Sequence, residues 1–330
     1  MSQIDQSMLT TALPEKLVHW LENHINENCR ILPVPGDAGM RRYYRVLTRT
    51  TSYICMVDSD TTQLKQYIHC ATQLAKHLIR VPTLYHMDLQ QGFLLQQDLG
   101  DCMLSDTLSR DQVTTSYARC IDQIIRLQQL PHSEWPVYDQ TCLVREAMLP
   151  VEWFFSTHCK QPLTADESQI FTDFVHALST RIQQQPYQLV HRDFHSRNIM
   201  IHAGEIGLID FQDAIWGPIT YDVASLLRDY YQPWSNEVVE QGMHYYYHAS
   251  RESNIHRLTL TAFKQAFYET SLQRHLKVLG IFCRLAYRDG KIHFLDYLPT
   301  VYTYLTQTAE HVASAEAIMA IITSRIGTRL

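Results

Sequence analysis

Between Leu189 and Pro218 the chain sets two carboxylates and one amide around a short apolar hairpin. Two apolar runs, Ile199–Ile201 and Ile206–Ile209, flank a polar turn at His202–Glu205 that contains Gly204. That is the pattern of two strands joined by a tight connection. Asp193 lies in the loop before the first strand, Asn198 stands just ahead of it, and Asp210 ends the second. One Asn and two Asp at one rim suit a hard divalent cation. Mg2+ takes oxygen ligands and usually keeps phosphate oxygens in its shell, so the pattern points to chemistry at a phosphate.

His191-Arg192-Asp193-Phe194-His195-Ser196-Arg197-Asn198 fits H-R-D-x-x-x-x-N, and Asp210-Phe211-Gln212 stands where D-F-G would follow. The stretch resembles the catalytic centre of the kinase superfamily. The resemblance implies that Asp193 orients an acceptor hydroxyl and takes its proton. It also implies that Asn198 and Asp210 hold Mg2+ against the phosphates of ATP. His195 stands two residues after Asp193, where protein kinases tend to carry Lys. D-x-H-x-x-N is similar to the small-molecule branch, with its aminoglycoside and choline kinases. A lone H-x-D is a weak signal, and His191 alone reads as a core histidine. The weight comes from Asn198 at its offset, the hairpin, and Asp-Phe after it.

The elements ahead of this centre fit a small nucleotide-binding lobe. Leu13 to Asn28 reads as an amphipathic helix, with Leu17, Trp20, Leu21 and His24 on one face. Gly36-Asp37-Ala38-Gly39 follows between strand-like flanks, where a kinase places its phosphate-covering loop, and small residues let backbone N–H groups approach phosphate oxygens. Arg41, Arg42 and Arg45 add positive charge there. Tyr53–Val57 reads as the next strand, yet it lacks the kinase lysine, and the helix from Thr61 to Ile79 has no Glu or Asp. Both halves of the usual Lys–Glu pair are therefore missing. Leu84–Met87 and Gly92–Gln97 read as two more strands. Gln97, Asp98 and Leu99 fall where a hinge would meet the adenine edge. The expected domains are 1–98, a nucleotide-binding lobe, and 99–330, a catalytic and acceptor-binding lobe. The expected fold class is α+β, protein-kinase-like and two-lobed, with a small antiparallel sheet and a larger, mainly helical part.

Helical periodicity dominates the remainder, at Gln112–Leu130, Arg145–Phe155, Thr164–Gln185, Tyr221–Tyr230 and Phe263–Arg288, with breaks near Gly290 and Pro299. Asp222 either caps its helix or braces the catalytic loop; bracing is what the superfamily resemblance implies.

Five motifs in one order sharpen the resemblance. They are Gly36 to Arg45, Leu94 to Asp101, His191 to Asn198, Ile209 to Ala214, and Gln273-Arg-His-Leu-Lys-Val-Leu-Gly-Ile-Phe-Cys-Arg284 followed by Arg288-Asp-Gly-Lys291. Together they resemble the bacterial aminoglycoside-phosphotransferase-related family of small-molecule kinases. The likeness is strongest to the branch that phosphorylates the anomeric hydroxyl of N-acetylmuramate and N-acetylglucosamine in cell-wall recycling. A lactyl-bearing sugar carries a carboxylate, for which Arg145, Arg284, Arg288 and Lys291 are candidates. Trp153, Trp216 or Trp234 would stack on a sugar face, although core packing accounts for each of them as well. Glu152 and Asp213 would instead face a cationic acceptor, an aminoglycoside or a choline-like amino alcohol. A non-catalytic binding protein on a kinase fold is the third reading, favoured only by the missing Lys–Glu pair.

Bulk properties narrow the field. At 330 residues the chain exceeds the size at which one core usually divides. A net charge of −6 gives no basic footprint for nucleic acid. The eight cysteines form no C-x-x-C pair, which reads as mostly buried free thiols in a reducing compartment. The first residues lack a secretory pattern, and no apolar run is long enough to span a bilayer. A cytoplasmic enzyme with no membrane partner is expected.

Overall fold

The computed structural model of the chain describes residues 13–34, 41–132 and 135–326. The first elements are α1 (Glu15–His24), β1 (Arg30–Val34), β2 (Arg42–Leu47), β3 (Ser52–Val57), α2 (Thr61–Lys76), β4 (Leu84–Asp88) and β5 (Phe93–Gln97). Next come α3 (Leu104–Thr107), α4 (Val113–Gln128), α5 (Gln140–Ala147), a π-helix (Val151–His158), α6 (Ala165–Gln183) and β6 (Tyr187–Val190). The chain continues through β7 (Ile199–His202), β8 (Glu205–Leu208), β9 (Ile215–Pro218), α7 (Tyr221–Leu227) and α8 (Asn236–Glu252). It ends with α9 (Leu260–Tyr287), α10 (Leu298–Ala309) and α11 (Ala315–Ile326). These elements form two compact units, Met1–Met103 with Ile199–Gln212, and Leu104–Asn198 with Asp213–Leu330.

The first unit is built on an antiparallel five-stranded sheet in the order β1-β2-β3-β5-β4. β5 is buried on both faces until its last residue. Phe93 and Leu95 join Leu17, Trp20, Leu21 and Ile25 of α1 in one core cluster. Gln96 points the other way, where its side chain accepts from the Tyr67 hydroxyl of α2 at 2.7 Å. Asp60 caps α2 by accepting from the N–H groups of Thr62 and Gln63. Gly92 has φ +75°, and a Cβ there would lie 2.0 Å from the Asp58 carbonyl oxygen, so only glycine lets β5 begin so close to the end of β3.

The hairpin β7–β8 belongs to this unit although it lies some hundred residues further along the chain. The Leu208 N–H donates to the Arg80 carbonyl and the Ile201 N–H to the Cys102 carbonyl, at 2.9 and 2.8 Å. The Arg80 guanidinium caps the turn at the His202 carbonyl, 2.9 Å away. A single boundary drawn along the sequence at Asp98 has no way to express this return.

The second unit is helical around α9. Along 28 residues α9 is buried on nearly every side, packed by α5, α6, α7, α10 and the π-helix. Its buried stretch includes Glu269, Gln273, Arg274, His275 and Lys277. The expected single helix from Arg145 to Phe155 is two elements, because Pro150 cannot donate to a preceding turn. Pro299 opens α10 at its first turn rather than ending a helix. A two-stranded sheet, β6 with β9, leads into and out of the catalytic segment. Cys102 is exposed and Cys142 half-buried, while the other thiols are buried. Among the described residues no helix is long and apolar enough to cross a membrane.

Candidate active site

The loop His191–Asn198 leaves β6 and is pinned at both ends by carboxylates that bracket α7. Asp222 accepts the His191 N–H at 2.7 Å and the Arg192 N–H at 3.0 Å. Asp229 accepts the N–H groups of Ser196 and Tyr231, both at 2.8 Å. Asp222 therefore braces the loop. Burial pushes its carboxyl up to about 6, against the pull of His191 and the two N–H donors.

Arg192 has φ +76°, a left-handed conformation that costs a non-glycine residue roughly 1–3 kcal/mol. Several contacts over-determine it. Its guanidinium pairs with Glu146 and lies over the Tyr138 ring at 5.1 Å. Its carbonyl accepts from Arg274 of α9 at 3.0 Å. Arg274 also donates to Ser225 at 2.7 Å. Lys277, one turn further along α9, pairs with Glu146 at 3.1 Å and donates to the Tyr221 hydroxyl at 3.2 Å. Tyr138 donates its hydroxyl to Glu146 as well.

This cluster sets the charge of Asp193. Burial raises the Asp193 carboxyl, but Lys277, then His195, Arg192 and Arg274, outweigh it and hold the group well below the ordinary carboxylate range. Asp193 is thus held ionised. Asn198 donates its Nδ2 to the Asp193 carbonyl at 3.0 Å, which turns its Oδ1 away from that carbonyl. Arg197 stacks over Tyr231 at 4.0 Å and donates to the Tyr297 hydroxyl at 2.7 Å. His195 meets the edge of Tyr231 with ring centroids 5.1 Å apart.

Glu146, Arg274, Lys277, Tyr231 and Tyr297 were passed over as functional residues in the sequence. For Arg274 and Lys277 a signal existed: they are cations among buried residues of a long helix, within the motif that ends at Arg284.

In the first unit, Gly36 and Gly39 lie outside the described residues. Arg41 pairs with the buried Asp58 at 2.8 Å and lies over the Tyr67 ring of α2 at 5.6 Å. Arg42 is exposed on β2. Arg45 is taken up by Asp98 and Asp101, both at 2.7 Å. Gln97 ends β5, its side chain accepting from Thr83 at 3.2 Å. Leu99 is buried against β8, where a Cβ on Gly207 would sit 2.9 Å from Leu99 Cδ1. Asp210 has φ +61° and accepts from the Gln212 side chain at 2.8 Å. Asn198 and Asp210 fall in different units. Among the described residues no group of three or more His, Cys, Asp or Glu is placed to hold a metal.

The acceptor candidates divide sharply. Arg145 is exposed on α5, 3.5 Å from the Cys142 sulfur. Arg288 is exposed and spent on Asp289 through two bonds of 2.6 and 2.9 Å. Lys291 is half-buried, and Glu152 and Asp213 are exposed. Trp153 is half-buried on the π-helix. Arg284, on α9, is half-buried, and its Nε is shut off from solvent with no hydrogen-bond partner among the described residues.

The model of the phosphotransferase enzyme family matches residues 30–257. An N-acetylmuramate/N-acetylglucosamine kinase of Neisseria meningitidis is 31% identical over 319 residues, which is 94% of this chain and 96% of that protein. The kinase of the same name from Pseudomonas putida is 31% identical over 89% of this chain and 91% of its own length. The one from Pseudomonas aeruginosa is 32% identical over 83% and 82%. Among solved structures, the ADP-bound aminoglycoside phosphotransferase APH(2'')-Ib matches with a TM-score of 0.62 at 14% identity, over 91% of this chain and all of that one. The Plasmodium vivax ethanolamine kinase matches with a TM-score of 0.60 at 14% identity, over 88% and 85%. At such identities these two likenesses give the fold alone, α+β and kinase-like. With the family model matching most of its length and relatives aligned along nearly all of it, this chain belongs to the phosphotransferase enzyme family.

Proposed function

We propose that this small-molecule kinase transfers the γ-phosphoryl group of ATP to the anomeric hydroxyl of an N-acetyl amino sugar, N-acetylmuramate or N-acetylglucosamine, in the cytoplasm. The observation that carries the reading is Asp193, a carboxylate held ionised by Lys277 and its neighbours in a loop braced at both ends. The named substrates of the curated relatives support the choice of acceptor. Asp193 accepts a hydrogen bond from the sugar hydroxyl and takes its proton as the oxygen bonds to phosphorus. The bond from the γ-phosphorus to the bridging oxygen breaks, and ADP leaves.

Asn198 Oδ1 in the second unit and the Asp210 carboxylate in the first are each the hard oxygen donor that Mg2+ would take. When bound, the ion neutralises charge on the phosphates. The first unit supplies the nucleotide site, and the second the catalytic base and the acceptor site. Arg41 takes the place of the absent lysine, with Asp58 in the place of the absent glutamate. Arg45 is already neutralised by two carboxylates and Arg42 stands exposed on its strand, so Arg41 is the cation both braced and placed beside α2. Gln97, Asp98 and Leu99 line the adenine edge.

The test is ATP consumption with Mg2+ against N-acetylmuramate, N-acetylglucosamine, choline and an aminoglycoside. Turnover is expected on the N-acetyl sugars. Asp193→Asn is expected to lower kcat by about 10²–10⁴-fold, and Arg41→Ala to raise the KM for ATP. Turnover confined to the amines would replace the sugar with a cationic acceptor. Nucleotide binding without turnover of any acceptor would count against a catalytic role.

A further inference from the structure

α9 carries a line of cations on one face. Arg274, Lys277, Arg284 and Arg288 are spaced by three, seven and four residues, which at about 100° per residue keeps all four within a quarter turn. Three are accounted for. Arg274 holds the Arg192 carbonyl and Ser225, Lys277 holds Glu146, and Arg288 holds Asp289. Arg284 is the exception. Its Nε is buried and has no hydrogen-bond partner among the described residues.

Electrostatics says the same of the whole group. Burial, and then the neighbouring Arg288, push the Arg284 guanidinium below its ordinary value, while Asp289, Glu146 and Glu152 only partly offset this. The carboxylates within reach are engaged or open to solvent. Glu146 is paired twice and Asp289 is taken by Arg288, while Glu152 is exposed. A half-buried guanidinium whose Nε has no hydrogen-bond partner is costly to keep unless an acceptor arrives.

Its place on the helix says what that anion belongs to. Lys277 bears on Asp193, and Arg284 stands two turns further along the same face, about 10 Å away. A molecule with its reacting hydroxyl at Asp193 and a carboxylate about one sugar ring away would meet both. Arg is suited to that task, since its planar fork matches a carboxylate with two parallel bonds. The π-helix packs against α9 here, and such irregular turns occur frequently at functional sites. Arg145, Arg288 and Lys291 fit less well. The first two are exposed, and Arg288 already has its carboxylate.

We propose that Arg284 is the specificity residue of the acceptor site, receiving the carboxylate of the lactyl group and so favouring N-acetylmuramate over the uncharged N-acetylglucosamine. This rests on the sugar-kinase reading above and deepens it.

The experiment measures kcat/KM for the two sugars in the wild type, Arg284→Met and Arg284→Lys, with the methyl ester of N-acetylmuramate as a third acceptor. The ratio of N-acetylmuramate to N-acetylglucosamine is expected to fall roughly 10- to 100-fold in Arg284→Met, the worth of a charge-assisted bond. Arg284→Lys keeps the charge without the fork and restores part of it. The wild type is expected to lose the same preference when the acid is esterified. An unchanged ratio in Arg284→Met, with both sugars still phosphorylated, overturns the assignment alone. Wild-type protein that phosphorylates neither sugar overturns the sugar-kinase reading and this assignment with it. Unfolding temperature and the KM for ATP, followed in parallel, identify a misfolded variant, and Arg284→Lys then carries the test.

Discussion

Lys277 decides much at the scale of single residues. It faces Glu146 and bears on Asp193 from a buried position, and it keeps its charge because Tyr221, Glu146 and Asp193 outweigh the pull of burial. Lys277→Met removes the largest favourable influence on the Asp193 carboxylate and leaves Glu146 to Arg192 and the Tyr138 hydroxyl. Breaking such a pair from one side costs about 3–5 kcal/mol of stability. Because Lys277 acts through Asp193, kcat is expected to fall 10-fold or more, while the KM for ATP stays within a few-fold. Lys277→Arg is expected to recover part of kcat. Steady-state kinetics beside denaturant unfolding checks this; a variant that loses stability but keeps kcat would make Lys277 structural only. Asp193, Asn198 and Asp210 were legible because their offsets along the chain are fixed by a local loop and hairpin. Glu146 and Lys277 lie 131 residues apart in sequence, and nothing local joins them.

Close packing governs the elements. Gly280 is where α9 runs against the chain ahead of the π-helix, and a Cβ there would lie 2.4 Å from Leu149 Cβ and 2.6 Å from its carbonyl carbon. Backbone as well as side chain is in the way, so Gly280→Ala forces the two segments apart. A loss of roughly 1–3 kcal/mol is expected, read as a lower unfolding temperature, together with weaker binding of N-acetylmuramate, since α9 also carries Arg284, the residue proposed to receive its carboxylate. An unchanged unfolding temperature would mean the helix shifts freely. The strands and the hairpin were readable from alternation and from runs bounded by turn residues. The π-helix was not, because its sequence carries the same apolar signal as an α-helix and only Pro150 marks the break. The pairing of β6 with β9 escaped notice too, since the two strands are joined only across the catalytic segment.

Across the whole molecule, buried titratable groups set the response to acid. Burial pushes His256 down to about 4 and His275 well below its ordinary value, so both stay neutral when folded. Once unfolded, they take up protons below their ordinary value of 6.5. Their contribution is therefore complete above pH 6.5 and is lost as pH falls toward 4. Asp222, raised to about 6, acts in the opposite sense. Between pH 6 and 4 the folded state holds its proton more tightly than the unfolded chain, which adds stability as pH falls. Two protons oppose one, and the net loss is at most about 1.4 kcal/mol per pH unit. Urea midpoints at pH 7, 6 and 5 are expected to decline; a flat or rising series would contradict the assignment of two buried neutral histidines. The carboxyls of Asp193 and Glu146 lie below their ordinary values, so their contribution is present through this range and is lost only in stronger acid.

Sequence by itself determined the reaction class and the kinase-like α+β architecture, because both rest on short-range patterns. A loop with Asp193 and Asn198 five residues apart, a hairpin ending in Asp210, and strand and helix periods all act over a few residues. Tertiary structure alone decided which distant charges meet. It turned Arg45 toward Asp98 and Asp101 and gave Arg41 to Asp58. It also left the Nε of the half-buried Arg284 without a hydrogen-bond partner among the described residues. The reason is physical. Ion pairing and burial depend on distances in space between residues far apart in the chain, and no local period encodes those distances.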